Sequence, residues 1–314
     1  MVYQPATIEE TVAATPGPAS WRGALTHLGS VVTRNRKALV GMILLAIFTL
    51  MAIFAPLIAP YDPNGANFLP SQAASPSHLL GTTSDGKDIF SQLVWGAQQS
   101  LLVAVLAGLF ATVISVLIGV AAAYIGGTMD YTLGVFTDVF LVLPALPLMI
   151  VIASYFKGSG ATVIIFVIVI TSWSYGARQM RAQALTLRNR EFLESARVRG
   201  ERTPYIIVFE LLPTMISLIM AIFLGAAVYA VLTAAALQFI GLGNPEEMSW
   251  GTMLYFAENN EALNVGTPLW AIAPGLCIAL LGAAFALLNY AFDEMGNPAL
   301  RARGRKRGRH VSHS

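Results

Sequence analysis

The run Gly81-Thr82-Thr83-Ser84-Asp85-Gly86-Lys87-Asp88 has the G-x-x-x-x-G-K spacing of a phosphate-binding loop. Such a loop cradles phosphates on backbone N–H groups, and a Ser or Thr after the lysine holds Mg²⁺. Here Asp88 stands at the magnesium position, and two aspartates would face the phosphates, so the run argues against a nucleotide site. The four histidines (His27, His78, His310, His313) and the single Cys277 have no metal-ligand spacing. One cysteine also excludes a disulfide framework. No Ser/His/Asp set and no carboxylate pair can be argued from spacing. The densest functional segment is 178–213. Read as a helix, RQMRAQALTLRNREFLESARVRG puts Met180, Ala184, Leu185, Leu187, Phe192, Leu193 and Ala196 near helical spacing, with arginines elsewhere. Small residues stand at Ser195 and Ala196, Gly200 stops the helix, and Pro204 lies beyond. Such a helix is either a plain amphipathic connector or a segment that lies in another protein's groove.

The elements that must position this segment are apolar. Hydrophobic residues make up 56% of the 314 and charged residues 11%, against roughly 25% charged in a soluble domain. Intrinsic disorder is excluded by that apolar content, and no repeat at a fixed period marks a solenoid. A spanning helix needs about 20 apolar residues. Candidates are Ala38–Ala59, Ser100–Tyr124, Phe136–Tyr155, a run from near Ala161, about Leu211–Leu232 and about Leu269–Phe292. Their continuous apolarity is not the alternation of barrel strands. The expectation is an all-α integral membrane protein with six transmembrane helices. Residues 1–30 read as a disordered tail, 31–300 as the membrane domain and 301–314 as a basic tail. The first apolar run is too long for a cleavable signal and reads as an uncleaved anchor.

All but Lys87 and Lys157 of the 19 basic residues fall before the first span, between the fourth and fifth, or after the sixth. With six spans these segments share one side, which the positive-inside rule makes cytoplasmic, together with both termini. The basic tail then fixes orientation and touches anionic lipid. The outer side holds 60–99 and about 233–268, with Asp62, Asp85, Asp88, Glu246, Glu247, Glu258 and Glu261. That acidic face is either ordinary solvation or a docking surface. Pro144, Pro147 and Pro274 read as static kinks, or else as hinges. Trp250 and Trp270 read as interfacial anchors, and Gly241-Leu242-Gly243 as a tight turn. The apolar cores carry essentially no ionisable residue at mid-membrane, where a proton-coupled carrier would need one. The chain therefore offers a pathway driven by something else.

REFLESARVRG followed by ELLPT resembles the signature of permease subunits of bacterial ABC importers. Glu194, Ser195, Ala196, Gly200, Leu212 and Pro213 match it; Ser195 replaces an alanine and Glu210 replaces the usual Ile, straining the exit or pairing with a nearby arginine. Over about residues 30–301 the chain further resembles the "C" permeases of the oligopeptide, dipeptide and nickel group. The stretches are Leu57-Ile58-Ala59-Pro60-Tyr61-Asp62-Pro63, His78-Leu79-Leu80-Gly81-Thr82 with Asp85-Gly86-Lys87-Asp88, Gly96-Ala97-Gln98-Gln99-Ser100-Leu101, Asp138 with Pro144 and Pro147, Trp173 to Arg178, Phe239 to Gly243, Ser249-Trp250-Gly251, and Pro274-Gly275 with Asn289 and Asp293.

The resemblance implies a type I ABC importer permease fold in a bacterial plasma membrane. It implies a homologous six-span permease, two ATP-binding subunits and an extracytoplasmic binding protein as partners, with no nucleic acid. ATP and Mg²⁺ then sit in the partner subunits, this chain carries no cofactor, and it is not itself an enzyme. The cytoplasmic coupling helix is expected over about Glu191 to Gly200, with Glu191, Glu194, Ser195, Ala196, Arg197, Gly200 and Pro213 in ATPase coupling. Ser195 and Ala196 would permit close approach to the ATPase. The outer loop would meet the binding protein through Tyr61, Asp62, His78, Asp85, Lys87, Asp88 and Trp250. Cargo is left between oligopeptides and oligosaccharides, since the ending 292–301 departs from that of peptide members. Nickel is disfavoured, because no His, Cys or Met cluster lines a span. The rival functions are a membrane scaffold and a secondary carrier without ATPase partners.

Overall fold

The computed structural model describes residues 35–156 and 160–296, together with Gly23. The tails and the turn at Lys157 lie outside the described residues, as does 297–301 of the departing ending. Nearly all of the rest is helix, and the one pairing of extended backbone among the described residues is the bridge Thr82–Asp88.

Among the described residues five helices are long and apolar enough to span: α1 (Arg36–Ile53), α2 (Ile89–Ile125), α5 (Gly160–Leu187), α7 (Ile216–Phe239) and α9 (Leu269–Gly296). The sixth expected span is α3 (Gly127–Val142) and α4 (Ala145–Tyr155), bent by 86°. Counted as one span, the pair makes six. The span expected over 136–155 with kinks or hinges at Pro144 and Pro147 is thus two helices with one sharp break, and Pro144 is the cause. A residue before proline is driven out of the α region, and Leu143 is extended at ψ 131°. Pro147 falls in the first turn of α4, where no N–H is needed. Pro274 stays inside α9.

The 37-residue α2 is the central rod. At 1.5 Å per residue it is about 55 Å long, well beyond a hydrocarbon core of about 30 Å. It starts at Ile89 rather than Ser100 because Asp88 caps it, accepting from Ser91 N at 2.8 Å. Small residues let other helices approach closely. A Cβ on Gly119 would lie 2.4 Å from Ala177 O of α5, and one on Gly108 would lie 3.1 Å from Ala227 N of α7. α9 packs on α1 and α7.

The tryptophans are not interfacial anchors. Trp250 is 0% and Trp270 2% exposed. Trp250 opens α8 (Trp250–Asn259), meets Phe48 edge-on at 5.3 Å and donates from Nε1 to Leu93 O at 2.9 Å. That satisfied N–H removes the reason for the ring to seek the membrane interface. Gly241 at φ +80° ends α7, with Leu242 N donating to Leu237 O at 3.0 Å. This is the expected tight turn.

Candidate functional site

The amphipathic segment is two helices rather than one. α5 runs on to Leu187, the chain turns at 188–190, and α6 occupies Glu191–Val198. Glu191 and Glu194 lie in its first turn, where negative charge suits the helix dipole. Gly200 at φ +80° ends it; Gly200 N donates to Arg197 O at 2.9 Å and Glu201 N to Ala196 O at 3.2 Å. These are the two bonds of a Schellman turn, which needs a left-handed residue. A Cβ on Gly200 would meet no atom within 4 Å, so backbone conformation alone demands glycine there.

One face of α6 is anchored. Leu193 and Ala196 are both 0% exposed, packed with Tyr124, Met180, Ile206 and Leu211. Ala196 therefore does not offer an approach to a partner; its small side chain lets α6 lie on its own bundle. Arg197 also points home. Its Nη2 donates to Arg188 O at 2.9 Å, its Nε to Tyr124 Oη at 3.4 Å, and it sits over the Tyr124 ring. Arg188 in turn donates to Ala123 O at 3.3 Å. The other face, at i, i+3, i+4 and i+7, is Glu191, Glu194, Ser195 and Val198, all exposed. Val198 is 89% exposed, an apolar side chain held out on a polar face. The sequence carried that signal: Val198 is the apolar residue on the face that otherwise holds charge and hydroxyl.

Beyond α6 a π-helical turn, Ile206–Leu211, leads to Pro213, which is buried. Pro213 has no N–H for the carbonyl four residues back and crowds it; the wider register relieves that, with Leu212 N donating to Ile207 O. Glu210 is buried within this turn and accepts from Arg199 Nη2 at 3.3 Å. The substituted residue thus finds an arginine. On the same side, Arg181 of α5 makes two bonds to Asp130 of α3, at 2.6 and 2.9 Å, and Arg178 one to Asp138 at 2.6 Å.

At the opposite end of α2 lies the loop 60–88. His78 and Asp88 are 5% and 1% exposed, with Nδ1 2.9 Å from Oδ1. The other Asp88 oxygen accepts from the N–H and hydroxyl of Ser91. Tyr61, Phe68 and His78 form an aromatic cluster, their ring centres 4.4 to 5.3 Å apart. His78 and Asp88 therefore build the loop from inside, Trp250 is buried between α1 and α2, and none of the three presents a docking surface on this chain. Asp62 and Asp85 are exposed and Lys87 is half-buried. Tyr61 and Asp62 line a groove of about 730 Å³ with Glu246 and Glu247. The glycines of the phosphate-loop-like run serve the loop's own packing: Cβ atoms on Gly81 and Gly86 would strike Gln72 O and Phe68 O at 2.3 and 2.2 Å. Asp88→Ala removes a helix cap and strands His78, and we expect a loss of about 2–4 kcal/mol. Thermal unfolding with limited proteolysis of the 60–88 loop measures it, and His78→Ala should lose less.

A cavity of about 440 Å³, partly open to the surface, lies between these two ends, lined from α2, α5, α7, α9 and the α3–α4 break. Among the described residues no three His, Cys, Asp or Glu side chains converge.

Spanning helices around a partly polar interior, with an anchored amphipathic helix at one end, define a multi-pass helical membrane protein. The chain belongs to the family described as binding-protein-dependent transport system inner membrane component, which matches residues 115–295. Residues 32–76 match the N-terminal TM domain of oligopeptide transport permease C. The chain is 31% identical to the dipeptide transport system permease protein DppC of Alkalihalophilus pseudofirmus, over 90% of this chain and 91% of that protein. It is 32% identical to the DppC of Haemophilus influenzae, over 85% and 92%. To the oligopeptide transport system permease protein OppC of Bacillus subtilis it is 32% identical, over 74% and 75%.

Proposed function

We propose that this chain is a permease subunit of an ATP-driven, binding-protein-dependent peptide importer. It forms the path with a homologous six-span permease, and two ATPase subunits below bind ATP and Mg²⁺. The single observation that carries the coupling role is the outward face of α6. Leu193, Ala196 and Arg197 fix the helix to its own bundle, while Glu191, Glu194, Ser195 and Val198 stand exposed. A short helix anchored on one face and exposed on the other suits a groove in a partner. The relatives named for dipeptide and oligopeptide transport favour peptide cargo. The distribution of Arg and Lys supports a cytoplasmic side for both termini and α6, and an outer side for 60–88. The groove with Tyr61, Asp62, Glu246 and Glu247 is then the docking surface for a binding protein.

The test is ATP hydrolysis by the complex reconstituted in liposomes, with the binding protein empty, loaded with mixed oligopeptides, or loaded with cello-oligosaccharides. Stimulation by peptide is the expected result. Stimulation by the sugar alone overturns the cargo, and failure to form any complex with an ATPase overturns the importer.

A further inference from the structure

Three observations converge on the cavity. The break at Leu143-Pro144 forms one wall. Non-helical backbone at membrane depth is tolerated where it is buried in protein or lines a hydrated cavity. Ser172 Oγ and Asn289 Oδ1 are enclosed without a hydrogen-bond partner, and both residues line the cavity. An orphaned polar atom is costly unless something in the space bonds to it. Asp293, one turn from Asn289 on α9, lines the cavity as well. No Lys or Arg does, and Asp293 makes no ion pair among the described residues. Space is kept for Asn289 in particular: a Cβ on Gly225 would lie 3.0 Å from its Nδ2.

We infer that this cavity is a cargo subsite for the amino-terminal end of a short peptide, with Asp293 taking the ammonium and Asn289 and Ser172 the first peptide group. The inference rests on the peptide-importer function proposed above. Asn289 Oδ1 and Ser172 Oγ accept from the peptide N–H, and Asn289 Nδ2 donates to its carbonyl. Phe140, Leu143 and Ile222 offer apolar wall to a side chain. An oligosaccharide supplies hydroxyls but no cation to pair with the exposed Asp293 carboxylate.

The test measures radiolabelled trialanine taken up per ATP hydrolysed, in proteoliposomes holding the full complex with its binding protein. A charge-assisted hydrogen bond is strong enough that Asp293→Asn lowers this ratio about tenfold or more. Asp293→Glu, which keeps the charge, recovers most of it. Asn289→Ala lowers it in the same direction. A wild-type ratio in both Asp293→Asn and Asn289→Ala overturns the subsite while leaving the peptide importer intact. Loss of hydrolysis at an unchanged ratio marks a structural role and overturns it too. A wild-type complex that moves no trialanine overturns the peptide function itself.

Discussion

Val198→Asp abolishes transport and leaves the chain folded in the membrane. The side chain is 89% exposed, so its replacement disturbs nothing inside this subunit. In the proposed complex it enters a partner's groove, where a desolvated carboxylate replaces an apolar contact. Residues at the centre of such interfaces contribute about 2 kcal/mol or more, roughly thirtyfold in affinity. Glu194→Lys, on the same face, acts in the same direction by reversing a charge. Co-purification of ATPase subunits with a tagged chain and peptide uptake are the two readouts. Both should fall while the yield of membrane-inserted chain holds. Leu193→Asp is the contrasting variant: its side chain is fully buried, so it loses the chain itself. Normal co-purification and uptake by both Val198→Asp and Glu194→Lys would falsify the docking face.

Gly119→Ala damages the membrane domain itself. The added Cβ would lie 2.4 Å from Ala177 O and 2.8 Å from Met180 Cβ, so α2 and α5 must separate. Backbone cannot yield as a flexible side chain does, and overpacking of this kind costs about 1–3 kcal/mol or more. The shift falls where α5 leads into α6, so coupling suffers with stability. A lowered melting temperature of the purified chain and reduced uptake are expected. Gly134→Ala on α3 is the control, since its Cβ would meet nothing within 4 Å. Equal melting temperatures for the two variants would remove close α2–α5 packing from the account.

Most spans were legible because a run of about 20 apolar residues has few other fates. The Gly200 turn was legible because a glycine with a proline four residues beyond it ends a helix in few ways. That Pro144 bends its span by 86° while Pro147 stays in a helix was not legible, because the two prolines look alike in sequence. Trp250 misled because an aromatic near a span end suits either the interface or the core, and the carbonyl of Leu93 that decides between them lies far away in sequence. Ala196 misled for a similar reason. A small residue permits close approach without saying to what, and the Tyr124, Met180 and Ile206 that receive it come from three separate segments. The cavity was invisible, since Ser172, Asn289 and Asp293 come together only because α5 and α9 both pack on α7.

The unbroken α2 carries no proline, is capped at one end by Asp88 of the 60–88 loop, and meets α6 at the other through Tyr124 and Arg197. In the proposed complex one end faces a binding protein and the other an ATPase. Two ligands that bias one shared body are thermodynamically linked, and the linkage is reciprocal. If ATP weakens the hold of the outer loop on the binding protein by some factor, the docked binding protein weakens ATP binding by the same factor. The affinity for nucleotide below is then a readout of occupancy above, and a change in the Tyr124–Arg197 contact should alter both by one number.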